Sequence, residues 1–219
     1  MAVEDTAAPL EALALAGRGP VIPVVVIDRV EHAVPMARAL VEGGVTVIEV
    51  TLRTPAALAS IEAIARAVPE AIVGAGTLRH AADARSAHAA GARFAVSPGY
   101  SGAVAAACRA MALPLLPGVA TASEIMRAAD DGYRLLKFFP ASAAGGPALL
   151  KAWASPFADI MFCPTGGIGV DSAPAWLALP NVAVVGGSWL TPAEALAAGD
   201  WPRLTRLARE ASALSRRAR

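Results

Sequence analysis

Apolar positions follow two alternating rhythms along this chain. Short runs such as 21–27 are apolar throughout, as a parallel strand covered on both faces would be. Longer stretches repeat an apolar residue every three or four positions, the mark of a helix with one buried face. After the first strand, Val34, Ala37, Leu40 and Val41 share such a face; Pro35 fits its first turn and Gly43-Gly44 ends it. A strand over 45–50 comes next. Thr54 then reads as a helix N-cap and Pro55 as the first helical residue, with Leu58, Ile61, Ala65 and Val68 forming the buried stripe.

The alternation continues with strands near 72–76, 93–97, 113–116, 134–139, 160–163 and 182–186, each followed by a helical pattern. Val104, Ala107, Cys108 and Met111 make one helical face, and Thr121/Glu124 and Thr191/Glu194 read as capping boxes. A last helix after Asp200-Trp201-Pro202 buries Leu204, Leu207, Ala211 and Leu214, and a short helix over 9–17 precedes the first strand. The strand starts, near 21, 45, 72, 93, 113, 134, 160 and 182, are twenty to twenty-seven residues apart. Eight such strand–helix units predict an α/β protein, a (β/α)8 TIM barrel with an extra N-terminal helix. The competing doubly wound sheet would carry a glycine-rich turn after an early strand, and residues 24–29 contain no glycine.

Composition narrows the class. The 219 residues are 56% hydrophobic without a compositional break, which predicts a single domain over 1–219. Nineteen basic against eighteen acidic residues leave a net charge of +1, too weak a field to recruit nucleic acid. The basic tail Arg216-Arg217-Ala218-Arg219 reads as a solvated terminus. Glu4, Asp5 and Glu11 are wrong for a signal peptide, and no apolar run approaches the ~20 residues of a membrane span, so a soluble cytoplasmic protein is expected. Cys108 and Cys163 fall on a helix and a strand and read as buried thiols rather than a disulfide or metal pair.

In a barrel of this kind the residues ending each strand line the active mouth. One of them stands out. The chain has seventeen arginines but only two lysines, Lys137 and Lys151, and Lys137 lies within an apolar strand. Side chains alternate along a strand, so an inward Lys137 has Leu135 and Phe139 beside it while Leu136 and Phe138 face the helices. Burial in a low dielectric favours the neutral form of an amine, and a neutral amine attacks carbonyls. A snorkelling lysine or a structural ion pair with Glu49 stays open as the alternative. Glu49 ends the second strand in an apolar context and could flank a small substrate from the opposite side as a proton shuttle.

Arg53 lies four residues on, where its planar donor fork could clamp a carboxylate; a plain surface arginine is the other reading. Thr77, after Gly74-Ala75-Gly76, can add a hydroxyl. Gly166-Gly167 and Gly186-Gly187-Ser188 end the last two strands, the loops in which barrels often hold a phosphate with backbone N–H groups and a helix N-terminus. Turn chemistry alone is the competing explanation. His32, His80 and His88 lack ligand spacing and read as surface residues, so no metal site is expected.

Six runs, Glu49-Val50-Thr51-Leu52-Arg53, Gly74-Ala75-Gly76-Thr77, Ser97-Pro98-Gly99, Lys137-Phe138-Phe139-Pro140, Cys163-Pro164-Thr165-Gly166-Gly167 and Gly186-Gly187-Ser188-Trp189, resemble the 2-keto-3-deoxy-6-phosphogluconate aldolases in order and spacing. The resemblance extends from about Val21 to Leu207. It implies a class I aldolase in which Lys137 forms the Schiff base and Glu49 moves protons, yielding pyruvate and glyceraldehyde 3-phosphate. By the same resemblance, Arg53 and Thr77 would hold the pyruvate carboxylate, Pro98, Phe139 and Thr165 would shape the pocket, and Gly166, Gly167, Gly187 and Ser188 would take the phosphate. It further implies a homotrimer without metal or cofactor, and it leaves open both the C4 stereochemistry and activity on 4-hydroxy-2-oxoglutarate. A metal-free phosphosugar isomerase and a non-catalytic phosphometabolite-binding barrel remain the alternatives at this point.

Overall fold

The apolar runs form the wall of a closed barrel in the computed structural model, which describes residues 12–214. The wall is built from β1 (Val21–Val25), β2 (Val47–Thr51), β3 (Ile72–Gly76), β4 (Ala95–Val96), β5 (Leu115–Leu116), β6 (Gly118–Val119), β7 (Leu135–Phe138), β8 (Met161–Pro164) and β9 (Val185–Gly187), and every pairing is parallel. The ladder divides into an arc of six strands, β5-β4-β3-β2-β1-β9, and an arc of three, β6-β7-β8. Pro117 is one seam between them, because proline has no N–H for the ladder. It nevertheless accepts from Lys137 N–H at 2.8 Å, while Leu116 accepts from Ser97 N–H at 3.2 Å, so β5 and β6 act as one wall segment. Isolated parallel bridges, Phe162 to Val182 and Thr165 to Gly186, close the other seam. Counted this way the wall has the eight expected segments.

Strand alternation sorts the side chains into two cores. Ile22, Val47, Ile72, Phe94, Val96, Leu116, Leu135 and Cys163 pack inside the barrel, joined by Leu15 and Ala16 of α1 (Ala12–Ala16), which closes the N-terminal end. Residues 9–11 of the expected first helix lie outside the described residues, as does the arginine tail. The outward side chains, Leu136 and Phe138 among them, pack under the helices, with the Phe138 ring 5.3 Å from that of Trp153.

Among the described residues, a 3-10 turn (Val30–His32) and nine further helices surround the wall: α2 (Ala33–Glu42), α3 (Ala57–Ala67), α4 (Ala81–Ala89), α5 (Gly102–Ala110), α6 (Ala122–Asp130), α7 (Gly146–Trp153), α8 (Ala173–Leu177), α9 (Ala193–Ala198) and α10 (Trp201–Ser212). The Thr121/Glu124 capping box forms as expected: Glu124 Oε2 accepts from Thr121 N–H at 2.9 Å, and Thr121 Oγ1 accepts from Glu124 N–H at 3.3 Å. Two helix starts differ from expectation. Helix α3 begins at Ala57, because Thr54 Oγ1 donates across to Ile27 O at 2.5 Å instead of capping. Its buried face carries Ala57, Ser60, Ile61 and Ile64, while Leu58 and Ala65 of the expected stripe are exposed. The expected Thr191/Glu194 box does not form either: Pro192 is the N-cap of α9, Thr191 Oγ1 is buried without a partner, and Glu194 bridges to Arg203 at 2.9 Å.

Candidate active site

Lys137 points into the barrel from β7, with its side chain 7% exposed, and its Nζ lies 3.1 Å from Oε1 of Glu49, itself 4% exposed. The two residues are 88 positions apart, brought together only by barrel closure. Phe139, the next inward residue, sets its ring centroid 5.4 Å from Nζ, a cation–π contact that orients the ammonium.

Room for this pair comes from glycines at the neighbouring inward positions. Glu49 is level with Val24 and Gly74, and Lys137 with Gly118 and Cys163. A Cβ on Gly76 would stand 2.1 Å from Glu49 Oε1, and one on Gly186 would stand 2.2 Å from Thr165 Oγ1. These residues are strand positions that admit the working side chains. Their sequence appearance as loop formers is incidental.

Cys163 is the other nucleophile at this level of the barrel. Desolvation pushes its thiol up to about 12, with smaller opposing effects from the Lys137 charge and a Thr165 contact, so it stays protonated at neutral pH. A thiol in that state is neither a nucleophile nor a metal ligand. The amine of Lys137 is therefore the nucleophile the site offers. Among the described residues, no three His, Cys, Asp or Glu side chains converge into a metal-binding group.

A cavity of about 210 Å³ opens from this pair toward solvent. All the residues expected from the sequence line it: Lys137, Glu49, Arg53, Thr77, Pro98, Phe139, Thr165, Gly166, Gly167, Gly187 and Ser188. On one side, Arg53 Nε donates to Thr51 Oγ1 at 3.1 Å. Thr77 has φ 67, a left-handed conformation rare for a β-branched residue and held at this rim. On the other side, Gly166 (φ 101) and Gly167 (φ 74) turn the chain after β8, and Ser142 Oγ donates to Gly167 O at 3.0 Å. Short turns separate the glycine loops from the helices that follow: α8 starts at Ala173 and α9 at Ala193, with Thr191 N–H donating to Ser188 O at 3.1 Å just before α9.

Three lining residues were given no role from the sequence: Val24, Thr51 and Ile168. Period-two alternation from Glu49 would have pointed to Thr51. Ile168 sits on an irregular loop and carries no such signal.

Residues 14–207 match the family model described as KDPG and KHG aldolase. The chain belongs to that aldolase family. The KHG/KDPG aldolase of Escherichia coli strain K12 is 53% identical over 193 residues, spanning 88% of this chain and 91% of the relative. The crystal structure of KDPG aldolase from Legionella pneumophila, with pyruvate captured as a covalent carbinolamine intermediate, matches with a TM-score of 0.91 and 45% identity, covering 93% of this chain and 99% of that one. The Zymomonas mobilis ZM4 2-keto-3-deoxy-6-phosphogluconate aldolase, solved with 3-phosphoglycerate, matches with a TM-score of 0.88 and 46% identity over 94% of this chain and 96% of that one.

Proposed function

We propose that this chain is a class I aldolase that cleaves 2-keto-3-deoxy-6-phosphogluconate to pyruvate and glyceraldehyde 3-phosphate. One juxtaposition carries the reading: a buried lysine amine 3.1 Å from a buried carboxylate, in a cavity with an arginine at one end and glycine loops at the other. The isomerase alternative leaves the lysine without a task, and a binding barrel needs neither partner of the pair.

The chemistry requires an electron sink, because breaking the C3–C4 bond leaves an electron pair on C3. Proton transfer from Lys137 to Glu49 across their contact frees the amine lone pair, which adds to the C2 carbonyl. The resulting carbinolamine loses water to give an iminium, the proton held by Glu49 passing to the departing hydroxyl and restoring the carboxylate. Glu49, directly or through a water, takes the proton of the C4 hydroxyl; the C3–C4 bond breaks, its electrons pass into the enamine, and glyceraldehyde 3-phosphate leaves. The enamine is protonated at C3 and the iminium is hydrolysed, releasing pyruvate and restoring the amine. Arg53 and Thr77 bind the carboxylate, Pro98, Phe139 and Thr165 shape the space around C2–C4, and Gly166, Gly167, Gly187 and Ser188 bind the phosphate. The covalent carbinolamine with pyruvate in the Legionella protein supports attack by an amine on the keto acid, and the 3-phosphoglycerate in the Zymomonas protein supports a site that accepts a phosphorylated acid.

The name of the Escherichia coli relative favours 4-hydroxy-2-oxoglutarate as a second substrate. We also propose a cytoplasmic homotrimer, a reading that rests on membership of this aldolase family. The decisive test is borohydride reduction in the presence of pyruvate. A reduced pyruvate adduct on Lys137 is expected by peptide mass spectrometry, and an unmodified Lys137 would sink the mechanism.

A further inference from the structure

Arg53 reaches the cavity from the exposed end of β2, and no carboxylate bridges it among the described ion pairs. What holds it is Thr51, two residues earlier and only 1% exposed. A hydroxyl has one proton to give and lone pairs to receive. Thr51 Oγ1 gives its proton to Val25 O at 2.8 Å, so its lone pairs are left for Arg53 Nε–H at 3.1 Å. The direction of both hydrogen bonds is thereby set by a backbone carbonyl of the neighbouring strand. Threonine is also stiff at χ1, which keeps Oγ1 in place. With Nε engaged, Arg53 retains Nη1 and Nη2, the edge that pairs with both oxygens of a carboxylate.

We infer that Thr51 is a positioning residue for substrate recognition: it holds Arg53 in the conformation that receives the 2-keto acid carboxylate. The inference rests on the aldolase reading above and assigns Thr51 no contact with the substrate. An untethered arginine must surrender the freedom of a long side chain when the ligand arrives, so loss of the tether weakens binding rather than chemistry.

The test is the pyruvate concentration that half-saturates borohydride trapping at Lys137, measured together with kcat and KM for cleavage. Thr51→Val keeps the side-chain shape and removes the hydroxyl. It is expected to raise half-saturation and KM about tenfold, leaving kcat within about twofold of the parent. Thr51→Ser keeps both hydrogen bonds and is expected to stay near the parent. In an Arg53→Ala background, Thr51→Val should produce no further shift, which a purely structural role would not predict. Should Thr51→Val fail to fold, Thr51→Ala carries the same comparison. Unchanged half-saturation in the Val variant, or an equal shift with and without Arg53, overturns the positioning role. Failure of the parent to trap pyruvate at all would instead overturn the aldolase reading.

Discussion

Gly76→Ala adds one methyl group where the barrel has no room for it. A Cβ built there stands 2.1 Å from Glu49 Oε1, 2.6 Å from Cγ and 2.7 Å from Cδ, whereas non-bonded carbon contacts settle at about 3.5 Å. Gly76 is not among the glycines with positive φ, so the backbone accepts alanine and the conflict falls on Glu49. The carboxylate must retreat by about 1 Å, and a misplacement of that size costs about 100-fold in rate, or about 2.7 kcal/mol of barrier. Overpacking adds a stability loss of about 1–3 kcal/mol, read as a fall in Tm of about 2–4 °C per kcal/mol in a protein of this size. Steady-state cleavage coupled to pyruvate detection measures the first effect and a thermal melt the second. Gly99→Ala is the control, since nothing lies within 4 Å of its added Cβ. A Gly76→Ala protein with parental kcat would refute the claim that the glycine exists to admit the Glu49 carboxylate.

Two further outcomes follow from the same site. Lys137→Met strands the Glu49 carboxylate, whose side chain is 4% exposed, without its cation; a loss of about 3 kcal/mol is expected in urea unfolding, largely recovered in Lys137→Met/Glu49→Gln, while both lack activity. Matching unfolding midpoints for the single and double variants would count against a coupled buried pair. Burial holds the Cys163 thiol at about 12, against an ordinary 9.0, so the folded protein keeps a proton that the unfolded chain releases as pH rises past 9. That contribution to stability is intact below pH 9.0 and declines from there toward about 12. Comparing the parent with Cys163→Ala, the parent should lose about 1 kcal/mol more on going from about pH 8 to about pH 10. An identical alkaline slope in the two proteins would contradict a buried protonated thiol.

The local part of the molecule was legible in the sequence. Period-two alternation correctly placed Leu135 and Phe139 with Lys137 inside the barrel and Leu136 and Phe138 outside, because pleating is a property of each strand alone. The repeated strand–helix spacing similarly implied the barrel. Caps proved less legible: Thr121 caps its helix, but Thr54 is drawn away by the Ile27 carbonyl just past β1 and Thr191 is displaced by Pro192. A hydroxyl bonds to whichever partner is within reach, and a partner from another strand is invisible to a motif four residues long.

The sequence by itself determined which side chains could do chemistry: a rare lysine in an apolar strand, an acid, an arginine and two glycine loops at strand ends. Only the tertiary structure decided that Lys137 and Glu49 meet at 3.1 Å, that Gly76 and Gly186 are inward spacers, and that Thr51 ties Arg53 to β1. The physical reason is closure. Alternation fixes the face each residue occupies, but the height at which two strands oppose one another is set by register, and register depends on the whole ring of strands at once.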